Sequence, residues 1–240
     1  MSGTAGPSVP YVTCDLSLAN RWVSIPRSSI SAALALDTAK AQIRRFGEAK
    51  TNMVDIARAM GVDHAMLYRF YKSKSALMDA IVQEVMSDEA ATAATYVEAS
   101  GPAAERLLQL FLDLHRRKHE RFVGDREIHD LHRRILVERP DMIADYARRI
   151  TTLVEKLIAQ AVERGEWKVD DIARAAGVVR DAMTTYVHPA LVAQLISGEA
   201  PVEDMLRASV TTLARAFEAG VRYESATDAD GRDDEKHQSF

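Results

Sequence analysis

The chain has 240 residues, of which 47% are hydrophobic, and a formal net charge of −4. This length is enough for one large or two modest domains with an apolar core. The absence of any run of about 18 apolar residues excludes a membrane-spanning helix, and the single cysteine, Cys14, excludes an internal disulfide framework. Residues 1–28 also lack the basic and apolar regions of a signal peptide. We therefore expect a cytoplasmic protein without a membrane partner.

Residues 1–28 and 224–240 are predicted to lie outside the folded domains. The first segment contains Gly, Pro and Ser and is predicted to be a flexible arm, whose Arg21 and Arg27 could reach a minor groove. The second is acidic and polar, which is typical of disorder. Between them apolar residues recur at helical spacing without strand-like alternation, so we predict an all-α fold of about nine helices.

Residues 51–77 carry the most specific pattern in the chain. Thr51 and Asn52 are good N-caps for a short helix, which ends at Gly61 because glycine accepts the left-handed conformation of a tight turn. Asp63 is a suitable N-cap for the helix that follows. Two short helices joined by a turn that contains glycine form the helix-turn-helix pattern, in which the second helix enters the major groove of DNA.

The second helix of this pattern carries side chains suited to reading base edges. Arg69 can donate two hydrogen bonds to guanine, and Ala65 and Met66 can contact thymine methyl groups. Lysine, tyrosine and polar side chains beside them can hold phosphates, which sets the register without reading sequence. The predicted DNA-binding residues are Thr51, Asn52, His64, Ala65, Met66, Tyr68, Arg69, Lys72 and Lys74.

The ordered pattern resembles the N-terminal domain of the tetracycline-repressor (TetR) family of bacterial transcription regulators. The matching residues are Leu36-Asp37, Phe46-Gly47, Thr51, Asp55-Ile56-Ala57, Gly61-Val62, Leu67-Tyr68, Phe70-Tyr71, Ser73-Lys74 and Ala76-Leu77. The chain departs from the family at residues 63–66, where the family usually has a small or polar stretch, and at Lys72, which replaces a frequent proline. The resemblance implies a DNA-binding regulator, and the departures suggest an individual operator sequence.

The distribution of charge agrees with a DNA-binding head on an acidic body. Residues 28–86 contain eight Lys/Arg and six Asp/Glu, whereas residues 87–240 contain twenty-one Lys/Arg and twenty-eight Asp/Glu. The head is therefore mildly basic, as expected if only the head meets phosphates.

The rest of the chain is predicted to form helices 4 to 9. The helix-turn-helix domain is assigned to residues 29–75, beginning with helix 1 over 31–46, and a ligand-binding and dimerisation domain to residues 76–223, with helix 4 linking the two. The predicted bounds are about 73–99, 102–121, 125–139, 141–164, 170–196 and 202–221. Residues 171–178 nearly repeat residues 55–62, but no phosphate-binding run follows, so we predict one continuous helix across Gly177 instead of a second DNA-binding unit.

The resemblance implies that helices 8 and 9 form a dimer. One face of helix 9 is predicted to be the dimer interface and carries Leu206, Val210, Leu213 and Phe217. A second face, with smaller residues, carries Met205, Ser209, Thr212 and Ala216. A helix with two such faces can pack on its own domain and on a partner, although an ordinary buried helix is the alternative.

The resemblance also implies a ligand pocket enclosed by helices 5 to 7. Small-molecule sites are mostly apolar with a few polar groups. The candidates are Phe111, His115, Tyr146, Ile150, Met183, Tyr186 and His188, and plain core packing is the alternative for each. His188 lies next to Pro189 and could instead cap or kink helix 8.

Four histidines have spacings that can chelate a metal ion. His115 and His119 are four residues apart, and His129 and His132 are three apart. Arginine and lysine residues interleave with them, so we predict a solvated helix face with no metal and no cofactor. No Gly-rich phosphate loop or Ser/His/Asp arrangement is present, so we predict that the chain is not an enzyme.

These observations predict a ligand-responsive repressor that binds a palindromic operator as a dimer. Its partners would be double-stranded DNA, a second copy of the chain and an unidentified small-molecule effector. The alternative is a DNA-binding protein without an effector, which acts structurally or through a protein partner.

Overall fold

The computed structural model describes residues 31–223, and this part of the chain is all-α, as predicted. The predicted arm, 1–28, and the predicted tail, 224–240, lie outside the described residues. The described part contains ten helices: α1 Ala32–Phe46, α2 Met53–Ala59, α3 His64–Phe70, α4 Lys74–Glu98, α5 Ala103–Gly124, α6 Arg126–Glu138, α7 Pro140–Glu163, α8 Ile172–Val187, α9 Pro189–Ser197 and α10 Val202–Ala219. None of these helices is long and apolar enough to cross a membrane.

The prediction of one helix over residues 170–196 is wrong, because the chain breaks at His188. This residue has an extended conformation with a ψ of 125°, and Pro189 begins α9 in its first turn. Proline lacks the backbone N–H and clashes with a helical conformation of the residue before it. The break explains why the chain has more helices than predicted. The predicted continuity across Gly177 is confirmed, since α8 passes through it.

Side-chain caps begin each of the first four helices. The side-chain oxygens of Ser31, Asn52, Asp63 and Ser73 accept hydrogen bonds from backbone N–H groups in the first turns of α1, α2, α3 and α4. Between α2 and α3, Gly61 has a φ of 67°, the left-handed conformation expected for it. Local residues therefore determine where the helices of the DNA-binding head begin and end.

Two apolar clusters form the core, and α4 contributes to both. The head cluster contains the first half of α4, from Leu77 to Met86, with residues of α1, α2, α3 and α6. The body cluster contains Ala93 and Val97 of α4 with residues of α5, α7, α8 and α10. Helix α4 is thus one rigid element shared by head and body.

Helix α6 also belongs to the head cluster. Its side chains Ile128, Leu131 and Ile135 are buried, and α6 packs against α1 and α4. Charged contacts reinforce this packing, since Arg134 of α6 pairs with Glu48 at 2.6 Å and Arg44 of α1 pairs with Asp125 at 2.7 Å. A displacement of α6 would therefore displace the head.

Candidate DNA-binding surface and ligand cavity

Helix α3 presents a polar, exposed face above a buried anchor. Leu67 is fully buried and fixes the helix on the head, while His64, Tyr68 and Arg69 are exposed. The rings of His64 and Tyr68 meet edge to face with centroids 6.0 Å apart. Within the described residues, the Arg69 guanidinium makes only a 4.0 Å contact with the Met66 sulfur. A guanidinium held this weakly is available to a base edge.

Eight of the nine residues predicted to contact DNA have accessible side chains. Asn52, His64, Ala65, Tyr68, Arg69 and Lys72 are exposed, and Met66 and Lys74 are half-buried. Asn52 also accepts a hydrogen bond from the Asp55 N–H at 2.9 Å as the cap of α2.

Thr51 needs correction as a DNA contact, because it is buried and holds the turn after α1, whereas Lys74 stays a predicted contact. Thr51 is 2% exposed, and its hydroxyl donates to the Gly47 carbonyl at 2.9 Å. The Lys74 ammonium donates to the Glu48 carbonyl at 2.6 Å and is partly buried. The burial of Thr51 takes its hydroxyl away from the DNA-facing surface.

The body contains a cavity of about 160 Å³ beneath the head. Most of its wall is apolar, and its polar side chains come from α5, α6, α7, α8 and the break between α8 and α9. The lining residues are Met86, Phe111, Leu114, Lys118, His132, Leu136, Ile143, Tyr146, Ala147, Ile150, Arg180, Thr184, Val187, His188 and Pro189.

Four of the seven predicted ligand residues line this cavity: Phe111, Tyr146, Ile150 and His188. The other three lie elsewhere, which corrects the prediction for Met183 and Tyr186, whereas His115 lines a second pocket together with His119 and Glu203. His115 is 3% exposed, and its Nδ1 lies 2.9 Å from the Tyr186 carbonyl, which can only accept, so His115 donates. Met183 is fully buried in the body core, and the Tyr186 hydroxyl lies 3.1 Å from the Ser209 hydroxyl. These three side chains are occupied by contacts within the chain.

A buried carboxylate, Glu89 of α4, lies at the centre of a polar cluster beside the cavity. The Lys118 ammonium contacts Glu89 at 2.6 Å, with both side chains 1% exposed. Arg121 pairs with the other carboxylate oxygen at 3.0 Å, and the Tyr146 hydroxyl donates to Glu89 at 2.8 Å. One carboxylate thus joins α4 to α5 and α7.

The cluster keeps Glu89 ionised. Burial alone would raise the pKa of its carboxyl group, but the charges of Lys118 and Arg121 outweigh burial and hold the pKa at about 2. Burial lowers the pKa of the Lys118 ammonium, and the contact with Glu89 opposes that shift. Burial and the negative charge of Glu89 raise the pKa of the Tyr146 hydroxyl well above its usual value, so Tyr146 remains a donor.

His132 is a neutral imidazole in the wall of the cavity. Burial lowers its pKa to about 3, and the nearby Arg121 and Lys118 charges act in the same direction, against the attraction of Glu89. The Arg121 guanidinium lies 3.4 Å from Nδ1. A guanidinium can only donate, so Nδ1 accepts and the ring proton is on Nε2.

The polar cluster was missed at the level of sequence, although one signal was present. Glu89 lies in helical register with the apolar residues Met86, Ala93 and Val97, which are all buried. An acidic residue on an apolar helix face needs a buried partner, but the sequence does not show that Lys118 supplies it. Within residues 31–223, no three His, Cys, Asp or Glu side chains come together as metal ligands.

The predicted dimer face of α10 is occupied inside the chain, which corrects that prediction. Leu206, Val210 and Phe217 are at most 1% exposed, and Leu213 packs against the same core. The Phe217 ring lies 5.2 Å from that of Trp167, measured between centroids. The larger apolar side chains of α10 therefore face inward, and its smaller face is left accessible.

Two family models match the chain. Residues 35–81 match the model described as bacterial regulatory proteins, tetR family. Residues 103–206 match the model described as tetracyclin repressor-like, C-terminal domain. The two matches correspond to the head and to most of the body.

Solved structures share the fold at low sequence identity. A TetR/AcrR-family transcriptional regulator from Thermobifida fusca is 20% identical, with a TM-score of 0.57, over 78% of this chain and 97% of that chain. A protein of unknown function from Rhodococcus sp. RHA1 is 21% identical, with a TM-score of 0.59, over 80% and 98%. FadR from Bacillus subtilis, solved in complex with stearoyl-CoA, is 15% identical, with a TM-score of 0.51, over 80% and 100%. No curated protein matches the chain.

Replacing Glu89 should reveal the strength of the buried cluster. Glu89→Gln is expected to lower the free energy of unfolding by about 3–5 kcal/mol near pH 7, because Lys118 is left buried without its counter-charge. The Glu89 carboxylate contributes fully to the free energy of unfolding above its ordinary pKa of 4.5. This contribution is lost as pH falls toward its pKa in the folded protein, about 2. The difference in free energy of unfolding between wild type and variant should therefore be about 2 kcal/mol smaller at pH 3 than near pH 7.

Urea unfolding at both pH values measures this difference. The control is Glu203→Gln, which removes a half-exposed pair with Arg116 and should cost at most about 1 kcal/mol. A loss for Glu89→Gln no larger than that of the control would contradict a stabilising buried cluster.

Proposed function

Because the chain belongs to the TetR family and is a DNA-binding transcription regulator, we propose that it is a ligand-responsive repressor that binds a palindromic operator as a homodimer. The observation that carries this proposal is the exposed face of α3 together with an apolar cavity, joined by α4 and α6. Each of these two helices contributes side chains both to the head core and to the cavity wall. A ligand in the cavity can therefore change the position of the head.

The α3 face would read the operator. Arg69 is placed to hydrogen-bond a guanine edge, and Ala65 and Met66 to contact thymine methyl groups. Lys72, just after α3, is exposed and would hold a phosphate. A two-fold dimer would place two such helices about 34 Å apart, or further on a longer operator, and so match a palindrome.

The dimer would form through α8 and the smaller face of α10. On α10 this face is Met205, Ser209, Thr212 and Ala216, which are exposed or half-buried. On α8 the exposed residues Val178, Ala182 and Thr185 recur at helical spacing. The two helices pack together, and short side chains allow the same helices of a second copy to approach closely in a two-fold contact.

The switch would act through α4 and α6. A ligand changes DNA affinity only by its different affinity for two states of the protein. The cavity wall includes Met86 of α4 with His132 and Leu136 of α6, and both helices continue into the head core. A ligand that moves either helix would change the spacing of the two heads.

Selection of bound sequences from random duplex DNA tests the proposal, and an inverted repeat is the expected result. On the selected sequence Arg69→Ala should cost about 1–3 kcal/mol, with a much smaller loss on random duplex. Lys72→Ala should weaken binding to both and lower the slope of log affinity against log salt by about one. Lys156→Ala, on the exposed surface of α7, is the control and should leave the slope unchanged.

If the selection enriches no sequence, the proposed function is overturned. Equal losses for Arg69→Ala on both duplexes would remove Arg69 from base reading and leave the function standing.

The oligomeric state tests the proposed interface. Ala216→Arg should convert a dimer to a monomer in sedimentation velocity, because a long charged side chain prevents close approach of the two copies of α10. Val137→Arg on α6, where the wild-type side chain is 80% exposed, is the control and should remain dimeric. A dimeric Ala216→Arg protein would show that the interface lies elsewhere.

A further inference from the structure

We propose that the cavity binds a small uncharged molecule about the size of a single ring, whose one polar group accepts a hydrogen bond from His132. This proposal rests on the proposed function, because it names the chemical class of the effector. Three features of the cavity support it: its size, the pairing of the charges around it, and the polar atoms left in its wall.

The size of the cavity sets the size of the ligand. Its volume is about 160 Å³, close to that of an engineered apolar cavity of about 150 Å³ that binds benzene. The side chains around it are mainly aliphatic and aromatic, and include Phe111, Leu114, Leu136, Ile143 and Ile150. A single ring with a short substituent fits this space, and burial of the ring against these side chains would supply most of the affinity.

The charges at the cavity are already paired. Lys118 is the buried cation in the wall, and its ammonium is held by Glu89 at 2.6 Å. Arg180 also lines the cavity but contacts Asp181 at 2.8 Å, with both side chains well exposed. An anionic ligand would compete with Glu89 for Lys118, and a cationic ligand would be repelled by Lys118. Both would lose hydration against a mostly apolar wall, so the occupant is neutral.

Two histidines in the wall supply polar atoms to the cavity. The contact of His132 with Arg121 uses Nδ1, so the Nε2–H is the donor that this ring can offer to a ligand. Among residues 31–223, Nδ1 of His188 is buried without a partner. Both residues line the cavity, and a buried polar atom such as Nδ1 of His188 normally has a partner. A carbonyl or hydroxyl oxygen on the ligand would accept from His132.

Three probe compounds with the same number of heavy atoms separate these features. Acetophenone is neutral with a carbonyl oxygen, isopropylbenzene is neutral and apolar, and benzoate is anionic. In calorimetric titrations of the full chain at pH 7, without DNA, acetophenone should bind roughly fivefold more tightly than isopropylbenzene, as one hydrogen bond implies. Benzoate should show no binding at the same concentration.

Variants test where the probes bind. His132→Leu should make the affinities for acetophenone and isopropylbenzene equal, whereas His132→Gln, which keeps an N–H donor, should retain part of the preference. Ala147→Phe should abolish binding of both neutral probes, because the new ring fills the cavity. The control is His119→Leu, which removes an exposed histidine outside the cavity and should change neither affinity.

The outcomes separate this inference from the proposed function. Binding of benzoate in preference to acetophenone would overturn the neutral class and leave a ligand-responsive regulator in place. Absence of binding by all three probes, or binding unaffected by Ala147→Phe, would overturn the assignment of the cavity. Failure to select an operator sequence would overturn the proposed function, and the probe titrations would still report on the cavity because they contain no DNA.

Discussion

The architecture depends on one buried carboxylate, Glu89, at the point where α4 passes from head to body. Taking a carboxylate out of water is costly unless its charge is paired and its lone pairs are used. Lys118, Arg121 and Tyr146 meet both conditions. Because these partners lie on α5 and α7, the sliding or rotation of α4 would break a buried ion pair, so its position in the body is sharply defined.

The position of α4 in turn defines the position of the DNA-reading surface. The first half of α4 is part of the head core, and Ser73, its cap, is separated from the end of α3 by only two residues. The cavity lies next to the Glu89 cluster, since Lys118 and Tyr146 belong to both. In the proposed mechanism, a ligand that touches these side chains changes the environment of Glu89 and the packing of α6. Two discrete packings of α4 and α6 would then give two spacings of the heads.

The head could be predicted closely from sequence because its determinants are local. The caps at Asn52, Asp63 and Ser73 and the left-handed Gly61 are set by residues within a few positions. Thr51 was misassigned because its burial depends on how the chain turns after α1. The restriction that proline places on the residue before it favours a break before Pro189. The helical periodicity of the apolar residues on both sides favours one continuous helix, which is what we predicted.

The body was less predictable because its site depends on packing between distant segments. Phe111 and Ile150 were recognised as cavity residues from their type and helix, whereas Met183 had the same properties and lies in the core. The partner of Glu89 is 29 residues away, and periodicity on one helix carries no information about it. The same limit applies to α10. Its two faces are visible in the sequence, but the sequence does not show which of them the chain itself buries.

The central claim is that the cavity and the DNA-reading surface are coupled through α4 and α6. Hydrogen exchange of the protein, free and bound to its selected operator, tests this claim without knowledge of the effector, because coupling between two sites is reciprocal. The account predicts that operator binding changes amide protection in α6 and in the second half of α4, beside the cavity. Changes confined to α1, α2 and α3 would contradict it.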